Sequence, residues 1–322
     1  LIFCLSVQCF FFEWNLTSFF KVKKTLRTST FFNQKFKKMK FSLKIFIAFF
    51  AMTLFLTSCR TSDDPVTPTV NELDGLNKIT EVSNDTHVIE LYSASGTTKM
   101  GYNNLKIRIK NKSTNQYEKS ATISWMPVMH MTSMSHSCPK SSVKKISTDG
   151  TLYEGYIVFQ MADNASEYWD LKIDYQINGA SYTATTGISV PLESKKTVTS
   201  FLGSDNSRYI VAYIEPRTPK VSVNDWVVGV WKMEDMMNFP VADGLTVKLD
   251  PRMPGMGNHS SPNNLDAKQV QAGGFYFGKL SLTMTGYWKL NLQLTKADGT
   301  VLKGEPVTEA NPASSLYHEI EF

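Results

Sequence analysis

The sequence predicts an all-β protein in which one domain, a sandwich or small barrel of antiparallel strands, occurs twice in tandem. Three observations lead there. Short runs rich in Val, Ile, Thr and Tyr alternate with clusters of Asn, Gly, Asp and Pro, the pattern of strands joined by tight turns. Few stretches carry a helical period, which would space apolar residues three and four apart. The chain also matches itself. A Met-Pro-x-Met core followed by His-Ser-(Cys or Ser)-Pro stands at Met126-Pro127-Val128-Met129 with His136-Ser137-Cys138-Pro139, and again at Met253-Pro254-Gly255-Met256 with His259-Ser260-Ser261-Pro262. Self-similarity of this kind marks a duplicated structural unit.

From the N-terminus, residues 1–38 open on Leu1 and mix Phe-rich runs with scattered Lys under no period, which reads as a mis-called upstream extension. Met39 begins a legible leader. Lys40 and Lys44 form a charged n-region, Ile45 to Leu56 carries no charge, and Leu56-Thr57-Ser58-Cys59 ends on small residues. That order is a signal peptide over 39–58, and its apolar run is shorter than the ~20 residues a membrane-spanning helix needs. The ending resembles a bacterial lipobox, which implies lipid on Cys59 and cleavage before it. Over 59–72, Pro and Thr with little apolar content make a tether. Ser62-Asp63-Asp64 resembles the surface-export signal of Bacteroidetes-type lipoproteins. The expected location is the outer membrane, facing the periplasm or the cell surface, with the membrane as partner through the lipid on Cys59.

Processing at Cys59 changes the composition. Nine Lys or Arg and one Glu precede it, so of 34 basic and 29 acidic residues 25 and 28 remain, a net charge near −3. The basic character belongs to the segment ahead of Cys59, and no electrostatic footprint for nucleic acid is left. Cys4 and Cys9 leave with the leader and Cys59 takes lipid, so Cys138 is the single free thiol and no intrachain disulfide is available.

Two domains are expected over residues 73–194 and 205–322. Asn104 to Lys110 parallels Asp225 to Trp231, and each leads to a further strand, Ala121 to Trp125 and Leu245 to Leu249. Gly155-Tyr156 begins a run that reaches Trp169-Asp170-Leu171, and Gly274-Phe275-Tyr276 one that reaches Trp288-Lys289-Leu290. Alternation puts Trp169 and Trp288 on apolar faces, as core residues. Thr183 to Val190 should close the first domain and Tyr209 to Ile214 should open the second.

The Met motif follows a strand in each copy and contains Pro and small polar residues, so it reads as a loop at one end of the domain. Loops on a rigid sheet are where binding groups sit. The chemistry points to copper. Thioether and thiolate sulfur suit Cu(I), and imidazole suits several transition metals. The first copy gathers Met126, Met129, His130, Met131, Met134, His136 and Cys138; the second offers Met253, Met256 and His259. Trp125 would place an aromatic face near a bound cation. The competing reading is packing, since Met fills irregular gaps in cores and a buried His bonded to backbone needs no metal. Met233, Met236 and Met237 could add thioethers, though packing explains them too. His87 and His318 stand alone and read as ordinary surface or strand histidines.

Met-Pro-x-Met followed by His, then Gly-Tyr or Gly-Phe-Tyr, then a Trp-x-Leu strand, resembles the YtkA-like domain, related to FixH proteins. The resemblance covers most of the chain after Cys59. It implies a secreted or membrane-attached immunoglobulin-like β-sandwich linked to copper handling, with Met126, Met129 and His136 in one copy and Met253, Met256 and His259 in the other as the family's positions.

No Gly-x-Ser-x-Gly elbow, Walker loop, zincin motif or dinucleotide fingerprint appears, so an enzyme is not expected. The expected function is lipid-anchored binding of copper, as Cu(I), for sequestration or for exchange with a donor or acceptor protein. The alternative is a structural, adhesion or glycan-binding surface lipoprotein without metal, using Tyr153, Tyr156, Tyr276 and Tyr287 as an aromatic face.

Overall fold

The computed structural model describes residues 71–322, all within one compact unit over 69–322. The upstream extension, the leader, Cys59 and nearly all of the tether lie outside the described residues.

The first sandwich comprises β1 (Asn77–Ser83), β2 (His87–Ser93), β3 (Gly101–Asn111), β4 (Thr122–His130), β5 (Ser135–His136), β6 (Lys144–Lys145), β7 (Leu152–Phe159), β8 (Tyr168–Ile177) and β9 (Ala180–Ile188). One sheet runs β1-β2-β3-β7-β6 and the other β5-β4-β8-β9. With β2 to β9 read as A, B, C, C′, D, E, F and G, this is A-B-E-D facing C′-C-F-G. That is the immunoglobulin arrangement, preceded by one added edge strand.

The second sandwich comprises β10 (Val198–Leu202), β11 (Arg208–Glu215), β12 (Val223–Lys232), β13 (Leu245–Met253), β14 (His259–Ser260), β15 (Leu265–Gln269), β16 (Tyr276–Ser281), β17 (Tyr287–Lys296), β18 (Val301–Lys303) and β19 (Leu316–Glu321). Its order β10-β11-β12-β16-β15, with β14 on β13 and β18 and β19 on β17, repeats the first sandwich strand for strand. Here β18 and β19 share the place of β9, and β15 also pairs with β13. Because β10 pairs with β11, the second sandwich takes in residues ahead of the expected start at 205.

Period-two alternation builds the cores. On β3, Leu105, Ile107 and Ile109 point inward while Lys106, Arg108 and Lys110 keep their charges toward water. Trp169 and Trp288 are both fully buried, and each indole N–H donates at 3.1 Å to a methionine carbonyl in the preceding connection, Met161 or Met284. This shared bond fixes the two tryptophans as equivalent. Pairing with β3 and β12 then makes Gly155 the counterpart of Gly278, since Leu105 faces Gly155 as Trp226 faces Gly278. The expected match of Gly155 to Gly274 is therefore displaced, because the connection from β16 to β17 is shorter than that from β7 to β8. Both glycines make room for a tryptophan. A Cβ at Gly155 would lie 2.6 Å from Trp125, and one at Gly278 would lie 2.9 Å from Trp226.

A third apolar cluster joins the sandwiches. Val158 from the first packs with Ile210, Ala212, Ile214, Trp231 and Phe239 from the second, flanked by Tyr102, Tyr156 and Phe275. Tyr156 contributes its hydroxyl to the Trp231 indole N–H at 3.4 Å. This seam holds the β12–β13 connection of the second sandwich against the first.

Candidate metal centre

The Met motifs begin as strand rather than loop. β4 continues through His130 and β13 through Met253; only residues 131–134 in one copy and 254–258 in the other form the turn into the short C′ strand. This has a consequence for the ligand set, because residues an odd number apart on a strand face opposite ways. Met129 is fully buried on the inner face of β4 with Trp125 and Pro127, whereas Met126, Val128 and His130 point outward and are partly exposed. The expected pairing of Met126 with Met129 at one centre is thus broken by the pleat.

Register also changes which residues correspond. Met129 lies opposite His136 across β4–β5, and Met253 lies opposite His259 across β13–β14. Met129 also faces Trp169 on β8, and the β13–β17 register, with Arg252 facing Lys289, runs toward Trp288 next to it. The counterpart of Met253 is therefore Met129, not Met126, and Pro127-Val128-Met129 corresponds to Pro251-Arg252-Met253. The Met-Pro-x-Met strings that look alike are offset by three positions in the fold. The His-Ser-(Cys or Ser)-Pro segments remain in step.

Residues directly opposite on an antiparallel pair have neighbouring side chains on one face. In each copy, a methionine of the long strand and a histidine of the C′ strand are thus cross-strand partners. The turn between them adds Met131 and Met134 in the first copy and Met256 in the second. Met134 and Met256 are 48% and 58% exposed, so they remain accessible from solvent. The ring of His136 meets Trp169 edge-on at 5.7 Å, and its Nδ1 lies 2.7 Å from the Ser137 carbonyl. A carbonyl only accepts, so Nδ1 is the donor nitrogen and Nε2 is the one left to face a metal. Metal-binding histidines are oriented in this way.

The other expected ligands are engaged elsewhere. His130 stacks on Tyr168 at 4.8 Å and its Nε2 lies 3.1 Å from Asp170, on the outer face. Cys138 is fully buried in the first core, and burial pushes its thiol well above the usual range, which disfavours the thiolate a metal requires. Its counterpart Ser261 is buried as well, so the position is a small core site in both copies. Trp125 packs against Gly155 and donates its indole N–H to the Ser141 carbonyl at 2.8 Å, away from the turn. His87 and His318 are strand residues, but buried ones rather than surface ones. Among the described residues no three His, Cys, Asp or Glu side chains gather into a cage, so a metal held at these ends would draw on thioether sulfur.

The tyrosines expected to form an aromatic face do not do so. Tyr153 and Tyr276 are buried in the cores, Tyr156 lies in the seam, and Tyr287 bonds Glu319 at 2.6 Å.

No family model matches the chain, and no curated protein matches it. Among solved structures it is similar to the Escherichia coli adhesin FdeC, at 12% identity over 71% of this chain and 82% of that one, with a TM-score of 0.21. It is similar to a chimeric titin Z1Z2 tandem at 10% identity, over 76% of this chain and 97% of that one, with a TM-score of 0.17. An endo-fucoidan hydrolase of glycoside hydrolase family 107 gives 9% identity over 63% of this chain and 33% of that one, at a TM-score of 0.19. At such scores the superpositions carry no argument, and the immunoglobulin assignment rests on the chain's own strand order.

Proposed function

We propose that the protein is a non-catalytic, lipid-anchored Cu(I)-binding protein of the cell envelope, with one Met/His centre at the same end of each sandwich. The observation that carries the reading is the in-register pair, Met129 with His136 and Met253 with His259, made in both copies despite turns of different length. A packing role asks only for apolar bulk at these positions and gives no reason for an imidazole opposite the thioether twice. Two thioethers and one imidazole form a soft, three-donor set suited to Cu(I). In the first copy these are Met129, Met131 or Met134, and His136; in the second they are Met253, Met256 and His259. The anchor reading rests on the leader and on Cys59, and it puts the centres at the outer membrane, where copper would be sequestered or exchanged with a partner protein.

Titration with Cu(I) against a competing chelator tests this. Two equivalents should bind, and His136→Gln and His259→Gln should each remove one. Binding unaffected by both substitutions would exclude these centres.

A second reading has its own support. Met129 is fully buried and Met253 is 5% exposed, as core-filling methionines are. If the protein takes no Cu(I), the tandem sandwich is a structural or adhesive scaffold whose binding surface lies elsewhere.

A further inference from the structure

The backbone N–H of Ser137, next to His136, donates at 2.7 Å to the carbonyl of Met236 in the second sandwich. This bond brings the β12–β13 connection of one sandwich onto the candidate centre of the other. We infer that Met236 and Met237 supply thioether sulfur to the first Cu(I) centre, which is therefore built from both sandwiches. The inference rests on the Cu(I) reading above and extends its ligand set.

Three observations support it. The connection is fastened at its base: Phe239 is buried in the seam, Met233 packs beside it, and Lys232 N–H donates to the Pro240 carbonyl at 3.0 Å. Its tip is held too, by Met237 N–H to Asp235 at 2.7 Å and Asn238 to Glu234 at 2.6 Å. A fixed loop that leaves Met236 and Met237 44% and 41% exposed has not used them for packing. Among the described residues, the exposed methionines are Met134, Met236, Met237 and Met256, and every one lies at a candidate centre or on the loop bonded to it. The equivalent connection of the first sandwich, residues 112–121, contains no methionine.

Soft thioethers from the loop would raise the donor number at the first centre above that of the second, so the two centres should differ in affinity. The test is chelator competition with Cu(I) on the intact protein, its Met236→Leu/Met237→Leu variant and its Met256→Leu variant, with near-ultraviolet circular dichroism to verify the fold. Leucine keeps the volume and removes the sulfur. The loop variant should weaken the tighter centre by about tenfold or more while leaving the weaker one unchanged. Met256→Leu should do the reverse. If Cu(I) binds and the loop variant keeps both affinities, the loop is no ligand and the inference fails alone. If the unsubstituted protein binds no Cu(I), the inference falls together with the reading beneath it.

Discussion

Met129 stands in register opposite His136, the last residue of the short C′ strand, and both share the inner side of the C–C′ pair with Trp169. The pleat puts Met126 on the other side of the same strand. Two methionines are thus separated by three residues of sequence and by the thickness of a sheet.

This separation predicts opposite outcomes for two similar substitutions. Met129→Leu should weaken the first Cu(I) centre by about tenfold or more, whereas Met126→Leu should leave it unchanged. Both variants should fold, since Met-to-Leu exchanges in cores cost under about 1.5 kcal/mol. Equal effects of the two on Cu(I) affinity would contradict the assignment of faces.

Gly155 and Gly278 make the same kind of opening beneath a tryptophan, and the lost space can be measured. A Cβ at Gly155 falls 2.6 Å from Trp125, and one at Gly278 falls 2.4 Å from the Leu265 carbonyl oxygen. Gly155→Ala and Gly278→Ala should each destabilise by about 1–3 kcal/mol in urea unfolding. Gly187→Ala, at an open position, should not.

Cys138 should behave as a core residue in the native protein. Burial raises its thiol pKa, and the side chain has no exposure. A thiol reagent at pH 8 is expected to label it only once denaturant unfolds the first sandwich. Rapid labelling of the folded protein would show that the thiol reaches solvent and would return it to the list of ligands.

His318 sets a pH dependence. Burial holds its imidazole down to about 4, while its Nε2 lies 3.2 Å from the Val211 carbonyl. The unfolded chain takes up a proton near pH 6.5 that the folded protein accepts only near 4. Stability should therefore fall as pH drops through that window, by roughly 3 kcal/mol in all, and level off below it. His318→Gln should flatten most of this slope in urea unfolding between pH 7 and pH 5.5; what is left comes from His87, whose pKa burial also lowers, and, nearer pH 4.5, from carboxylates held below their usual range such as Glu90 and Glu319. A slope that His318→Gln leaves intact would assign the linkage elsewhere.

Much of this fold was legible in the sequence because strands alternate and the chain repeats. β3, β4, β9 and β12 lie where the alternation put them, and Trp169 and Trp288 are the equivalent core residues expected. What failed was local identity read as equivalence. Met126-Pro127-Val128-Met129 and Met253-Pro254-Gly255-Met256 match in letters, yet pairing of β4 with β8 and of β13 with β17 aligns Met129 with Met253. Register is a property of pairs of strands, and a one-strand motif does not carry it. Tyr153 and Tyr276 were expected on an open face for the same reason, since alternation gives a side chain's parity without saying which parity is inside. The approach of Met236 to Ser137 depends on how two sandwiches meet, which no local pattern encodes.

The central claim is that thioether and imidazole from the paired strands bind Cu(I) together. X-ray absorption at the copper edge of the Cu(I)-loaded protein addresses it directly, because sulfur and nitrogen neighbours scatter differently. The account predicts a mixed sulfur and nitrogen shell that loses nitrogen in the His136→Gln/His259→Gln double variant and loses sulfur in Met129→Leu/Met253→Leu. A shell of oxygen and nitrogen alone, unchanged in both variants, would contradict it and leave the paired residues as packing.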